Sequence, residues 1–233
     1  MIRMKIIDLT LEISDGMKIF PTTGYIEPKI KLNVTPENDP LRGQYETSPG
    51  MKASYLCCMV HTGTHIDAPD HLSYGKKLHE IPIETFIGNT VIIDMSKKAA
   101  KEAITTTDLE EAWKKIKKEI QGIAIDKAII RTCWTSKTWG TTECFTDSPY
   151  LTKDAAQWLV KKGFKLIGLD FQTDPPGTIG RPVHEALLGN GVCIIEYLTN
   201  TEKISKKLVK LYALPMKLFN TEAAPARVIV IED

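Results

Sequence analysis

Three of the five histidines in this chain, His61, His65 and His71, fall within eleven consecutive residues, with Asp67 and Asp70 among them. Imidazole and carboxylate are the usual ligands of divalent zinc and manganese, so the spacing points first to metal chemistry. A lone histidine is more often a hydrogen-bonded loop or core residue. Three histidines and an aspartate in one short segment resist that explanation, because the nearby acids oppose an apolar packing role. His61 and His65 are four apart and would share one face of a helix. Gly63 and Pro69 argue against a regular helix through the segment. It reads instead as a tight turn, in which Gly63 adopts an unusual backbone angle and Thr62 and Thr64 tie the turn through their hydroxyls. Such a turn brings His61, His65 and Asp67 to one point in space. A divalent ion held there lowers the pKa of water from 15.7 to about 7 and polarises a carbonyl, which makes hydrolysis the natural reaction.

Short β-rich runs must carry these residues. The apolar run from Ala53 to Val60 leads directly into the motif. Residues 2–13 and 26–34 read as strands, and 35–50, with Pro36, Pro40, Gly43, Pro49 and Gly50, as a long loop that serves a site or a partner. Further strands are expected at 90–94, 127–133, 164–170, 192–198, 208–214 and 227–232. Between them lie two helices. Thr107 and Glu110 form a capping box, followed by Leu109, Trp113, Ile116 and Ile120 at helical spacing. Thr152 caps the second helix, which buries Ala155, Trp158 and Leu159 and ends at Gly163 in the C′ position. The class is mixed α/β: a single domain over 1–233 with a mixed β-sheet and flanking helices. Near the end of the chain, Glu196 interrupts the apolar run Val192-Cys193-Ile194-Ile195. A carboxylate in a buried strand must be paired, protonated or metal-bound. His184, ahead of the helical patch Glu185 to Leu188, by itself reads equally as a cap or a packing residue.

Other chemistries find less support. The chain has no G-x-S-x-G elbow. Cys57 and Cys58 lie in an apolar run, where a thiol is usually an inert packing residue. Five cysteines, two of them adjacent and none in C-x-x-C spacing, fit neither a disulfide framework nor a zinc ribbon, so reduced thiols in a cytoplasmic protein are expected. With 30 basic and 29 acidic residues there is no net field for nucleic acid or an anionic membrane. The run Lys114-Lys115-Ile116-Lys117-Lys118 reads as a solvated helix face. The N-terminal apolar stretch is broken by charges too early for a signal peptide, and no run approaches a membrane span.

The run His61-Thr62-Gly63-Thr64-His65-Ile66-Asp67-Ala68-Pro69-Asp70-His71 resembles the H-x-G-T-H-x-D-x-P-x-H signature of the cyclase family of metal-dependent hydrolases, whose best-known members are bacterial kynurenine formamidases. Support extends along the chain in Ile7-Asp8-Leu9-Thr10, Ile130-Arg131-Thr132, Ile167-Gly168-Leu169-Asp170, His184-Glu185-Ala186-Leu187-Leu188 and Ile195-Glu196. The resemblance implies a fold like the swivelling β/β/α fold of that family and a divalent ion, Zn2+ before Mn2+, with one or two ions per subunit. It implies that His61, His65, Asp67, His184 and Glu196 are the metal ligands, Asp67 bridging when two ions bind, and that His71 is the catalytic acid/base. His79 alone is left for a surface or structural role. The implied activity is hydrolysis of the C–N bond of a small, aromatic substrate, arylformamidase-like and connected with tryptophan catabolism, by a homodimer or higher homo-oligomer. The alternatives are a cyclic amide or lactone hydrolase of the isatin hydrolase kind and, from another class, a non-catalytic metal-binding protein. Two departures bear on the substrate pocket. Phe20-Pro21-Thr22-Thr23 replaces an aromatic-Pro-Gly-Asp run, and Thr173 replaces a serine.

Overall fold

A computed structural model of the chain describes residues 4–22, 24–32 and 54–232. The 233 residues expected to form one domain group into two compact units, Met1–Glu12 with Val60–Asp233, and Ile13–Met59. The strands are β1 (Lys5–Asp8), β2 (Lys29–Leu32), β3 (Ser54–Cys57), β4 (His65–Asp67), β5 (Ile87–Asp94), β6 (Ala103–Ile104), β7 (Lys127–Arg131), β8 (Tyr150–Leu151), β9 (Leu166–Leu169), β10 (Cys193–Glu196), β11 (Leu208–Pro215) and β12 (Ala223–Glu232). The helices are α1 (Thr106–Ile116), α2 (Trp134–Thr138), α3 (Glu143–Thr146), α4 (Lys153–Lys161) and α5 (Pro182–Leu188). In the smaller unit β2 and β3 pair antiparallel, and Asp15 accepts a hydrogen bond from the Ile30 N–H. The expected loop at 35–50 lies outside the described residues.

In the larger unit the strands run β1-β12-β11-β5-β7-β9-β10-β4, and β4 also pairs with β12, so the mixed sheet closes into a barrel with β1 attached outside it. Strands β5, β7, β9 and β10 are parallel, and their neighbours run antiparallel. Parallel strands are covered on both faces, which explains why they read as unbroken apolar runs. Their side chains alternate between two cores. Val91, Ile93, Ala128, Ile130, Ile167, Leu169 and Ile194 join α1, α4 and α5 on the outer face. Ile92, Ile129, Leu166, Cys193 and Ile195 fill the barrel interior with Ile66 of β4. Gly168 belongs to this interior. A Cβ on it would lie 2.8 Å from Leu198 Cδ1 and 3.1 Å from Ile129 Cγ1.

All the strands expected beyond the motif are present within a few residues. The helix caps divide. Thr152 accepts from the Ala155 N–H, and Gly163 takes φ 84, as the pattern predicts. The capping box of α1 is Thr105 with Asp108, two residues before the expected pair Thr107 and Glu110. Both candidates fit the motif, and the earlier one lets Leu109 and Ile116 reach the core. Cys57 is exposed and Cys58 half-buried, so the expected packing role fails for Cys57: all four residues of β3 are exposed. No helix among the described residues is long and apolar enough to cross a membrane.

Candidate metal centre

Sheet register positions the first ligand candidates. In β4, Ile66 points into the barrel, so the period of two turns His65 and Asp67 to the opposite, helix-bearing face. Across β10, His65 pairs with Glu196 and Asp67 with Ile194, which places Glu196 beside His65 on that face. Helix α5 packs against the same face through Val183, Ala186, Leu187 and Leu188 and brings in His184. Upstream of β4, Gly63 takes φ 61, the left-handed turn its residue type permits, and His65 Nδ1 lies 2.8 Å from the Gly63 carbonyl. The threonines act differently from expectation. The Thr64 hydroxyl donates to the Tyr197 carbonyl and accepts from the Leu11 N–H, so it ties the turn to the segments that follow β10 and β1, and the Thr62 hydroxyl is buried without a hydrogen bond. Beyond Ala68, a 3-10 turn at Pro69–Leu72 carries His71.

These residues converge on Asp67, which is fully buried. His61 Nδ1 lies 2.9 Å and His65 Nε2 3.3 Å from its Oδ1, and His184 Nε2 lies 3.6 Å from Oδ2. Glu196 spans the remaining gap, 3.4 Å from His65 Nε2 on one oxygen and 3.4 Å from His184 Nε2 on the other. Donor atoms of His61, His65 and Asp67 lie within 4.8 Å of one another, as do those of Asp67, His71 and His184, so Asp67 is common to two sets. Despite this crowding, both carboxylate oxygens of Asp67 and Nε2 of His65 are buried without a well-formed hydrogen bond. Buried polar groups are normally satisfied, and a carboxylate in that state costs several kcal/mol unless a cation meets it. The donor set, three imidazoles and two carboxylates aimed at common points, therefore fits a divalent ion.

The electrostatics agree. Burial disfavours charge on His65, yet Asp67 and Glu196 overcome it and raise its pKa to about 10. His184 is likewise raised against its burial, by Asp174, Asp67 and Glu196. Burial opposes ionisation of Asp67 and Glu196 too, and the surrounding histidines hold both carboxyls well below the usual range. His71 differs. Burial pushes it down to about 4; Asp67 opposes that fall, while His61, His184 and Arg181 add to it. His71 is thus a neutral imidazole near neutral pH, while its neighbours attract positive charge. Its ring packs 4.3 Å from that of His61 and 5.6 Å from that of His184, and its Nε2 accepts from Arg181 Nη1 at 3.0 Å.

The structure brings all six expected residues, His61, His65, Asp67, His71, His184 and Glu196, into this one cluster. It also shows residues the sequence does not announce. Asp174 accepts from the Val183 N–H at 2.7 Å and makes a short contact with His184 Nδ1. The Thr173 hydroxyl donates to Glu196 Oε1, so this threonine steadies a ligand candidate where a substrate role is expected. Glu222 Oε1 lies 3.2 Å from His61 Nε2. Each comes from a loop or strand end where a polar residue is unremarkable, so no periodicity marks it. His79 bears out its structural reading, accepting from the Asn220 N–H and packing its ring 4.9 Å from Phe219.

The comparisons point the same way. Residues 7–175 match the Cyclase family model, described as "Putative cyclase". A kynurenine formamidase of Bacillus thuringiensis subsp. konkukian is 30% identical over 188 residues, 79% of this chain and 82% of that protein. A solved structure titled as a potential metal-dependent hydrolase with cyclase activity is 26% identical and superposes with a TM-score of 0.75, covering 99% of each chain. Isatin hydrolase A from Labrenzia aggregata, solved with benzyl benzoate bound, shares the fold at 24% identity and a TM-score of 0.79, over 98% of this chain and 93% of its own. The motif, the barrel and these relatives together show that the chain belongs to the cyclase family of metal-dependent hydrolases.

Proposed function

We propose that this chain hydrolyses the C–N bond of a small aromatic amide, as an arylformamidase does, with N-formylkynurenine as the representative substrate. One observation carries the reading: a buried aspartate without hydrogen bonds, shared by two sets of imidazoles, with a neutral histidine beside it. His61, His65, Asp67, His184 and Glu196 would hold the divalent ion, zinc before manganese, with Asp67 serving both positions when two bind. Such an ion supplies Lewis acidity, polarising the amide carbonyl and making water acidic enough to attack at neutral pH. Asp174 keeps the proton of His184 on Nδ1, so that Nε2 faces Asp67 and Glu196 with its lone pair free. Thr173 fixes the rotamer of Glu196. His71 carries the proton at Nε2, taking it from water and delivering it to the leaving nitrogen, a role worth about 10² to 10⁴ in rate. Aromatic rings pack beside the cluster: Tyr197 lies 6.0 Å from His65, with Trp139 at 5.4 Å and Phe145 at 6.0 Å from Tyr197.

A cyclic amide is the second reading, favoured by the overlay with isatin hydrolases at TM-scores near 0.8. We further propose a homodimer in the cytoplasm. Ile6, Leu214, Met216 and Phe219 are exposed apolar residues on and beside β1 and β11, as a face between subunits would require. Metal analysis of the purified protein with assays on N-formylkynurenine and isatin tests the whole reading. Hydrolysis of the formamide, lost on chelation and restored by zinc or manganese, is expected. Full activity in verified metal-free protein sinks it.

A further inference from the structure

Arg181 is exposed and stands between the segment 175–180 and α5. Within that segment Gly177 and Gly180 take φ 74 and φ 88, and Ile179 between them is fully exposed. Among the described residues, Arg131 and Arg227 each pair with an aspartate, at 2.9 and 2.6 Å. Arg181 has no carboxylate partner there, and its hydrogen bond goes to His71 Nε2. An imidazole engages one of five guanidinium donors and offers no countercharge. With a divalent ion held in that cluster, a guanidinium beside it would be electrostatically costly unless an anion came between them. The same contact occupies the nitrogen through which His71 must move a proton.

We infer that Arg181 receives a carboxylate of the substrate and leaves His71 to do so, which makes the substrate an anionic amide with an acid group beyond the scissile bond. This deepens the arylformamidase reading and rests on it. A fork-shaped guanidinium grips a carboxylate through two parallel hydrogen bonds. Its exposure leaves the Arg181 side chain room to turn toward a carboxylate, and the departing guanidinium frees His71 Nε2. A neutral cyclic amide has no such group and leaves the arginine where it is.

The experiment compares two formamides on the metal-loaded full-length protein. One is N-formylkynurenine; the other is 2′-formamidoacetophenone, which has the same ring, ketone and formamide without the amino-acid end. The wild type is expected to favour the acid by about 10- to 100-fold in kcat/KM, the worth of one charge-assisted fork, in KM through the grip on the carboxylate and in kcat because the neutral formamide leaves Arg181 on His71. In Arg181→Gln that ratio falls to within about threefold of unity, and Arg181→Lys, with charge but no fork, falls between. Because both substrates depend on the same ion, the ratio cancels any disturbance of it. A wild type without preference, or a ratio unchanged in Arg181→Gln, overturns the inference. If the wild type hydrolyses neither formamide, the amide reading fails, and binding of the two amines, kynurenine and 2′-aminoacetophenone, decides the inference by calorimetry. Tighter binding of the acid that is lost in Arg181→Gln supports it, and equal binding refutes it.

Discussion

Asp174→Asn changes one atom in a residue that no sequence pattern marks, and its effect can be worked out beforehand. The carboxylate uses both oxygens: Oδ1 accepts from the Val183 N–H at 2.7 Å, and Oδ2 meets His184 Nδ1. An asparagine has one oxygen for two donors. If it keeps Val183, its amino group faces the Nδ1 proton, donor against donor. A hydrogen bond to a charged partner is worth about 1.5–3 kcal/mol. Loss of the outer partner of a metal-ligating histidine weakens metal binding about 10- to 100-fold, or 1.4–2.7 kcal/mol, and the two estimates agree. Part of the loss is hidden near neutral pH. Asp174 also stabilises the protonated His184, and that proton must leave before a metal can bind. Raising the pH therefore brings the loss toward its full size. The assay is competition for zinc against a chelator of known affinity at two pH values, with circular dichroism to verify the fold. A folded variant that binds zinc as tightly as the wild type at both pH values refutes the reasoning, since His184 would then need no orienting partner.

Four further outcomes follow from the same structure. His71→Ala should keep its metal and lose about 10² to 10⁴ in turnover, less on a substrate with a good leaving group; loss of metal would make His71 a ligand instead. Asp67→Ala should lower metal content below that of any single histidine variant, because two sets of donors share it; wild-type stoichiometry would contradict this. Glu232 is buried, which alone would raise its pKa, but the N–H groups of Lys206 and Ser205 and the Lys5 ammonium hold it at about 2 against an ordinary 4.5. With the folded value depressed, that stability is present above pH 4.5 and is lost as the pH falls toward 2, about 3 kcal/mol at most. Denaturant titration of metal-free wild type and Glu232→Gln across that range should show the wild type losing more, and parallel losses would remove Glu232 from the account. Gly168→Ala should cost about 1–3 kcal/mol by overpacking the barrel interior against Leu198 and Ile129, read as a lower denaturant midpoint.

The motif was legible because its ligand candidates are local. Gly63 declares a turn, Pro69 stops a helix, and alternation in β4 does the rest, so His61, His65 and Asp67 need almost no tertiary information. Glu196 was legible as a charge in an apolar run, a mismatch that only a buried partner resolves. Buried parallel strands announced themselves as β5, β7, β9 and β10 for the same reason, since both their faces are covered. Arg181, Asp174 and Glu222 were not legible, because their meaning comes from which loop lies over which strand. The α1 cap slipped by two residues because Thr105 with Asp108 and Thr107 with Glu110 satisfy the same local rule, and burial of the helix face chose between them. Cys57 misled because an apolar run says nothing of whether a strand is covered.

Strand β4 is three residues long and hydrogen-bonds to β10 on one side and β12 on the other. It is the stave that closes the barrel, and it joins an early part of the chain to two late ones. The ligand candidates are therefore collected by ring closure, a step that must overcome the entropy of closing long loops. A nascent or half-unfolded chain holds scattered histidines with no high-affinity site, and the full set exists only once the ring is shut. An ion bound there would act as a clasp: its affinity would add to the free energy of keeping the stave in place, and opening that stave would part His65 and Asp67 from His184 and Glu196 in one step. Hydrogen exchange in β4 should accordingly slow with metal more than in the outlying β1, which hangs on the same barrel but takes no part in closing it.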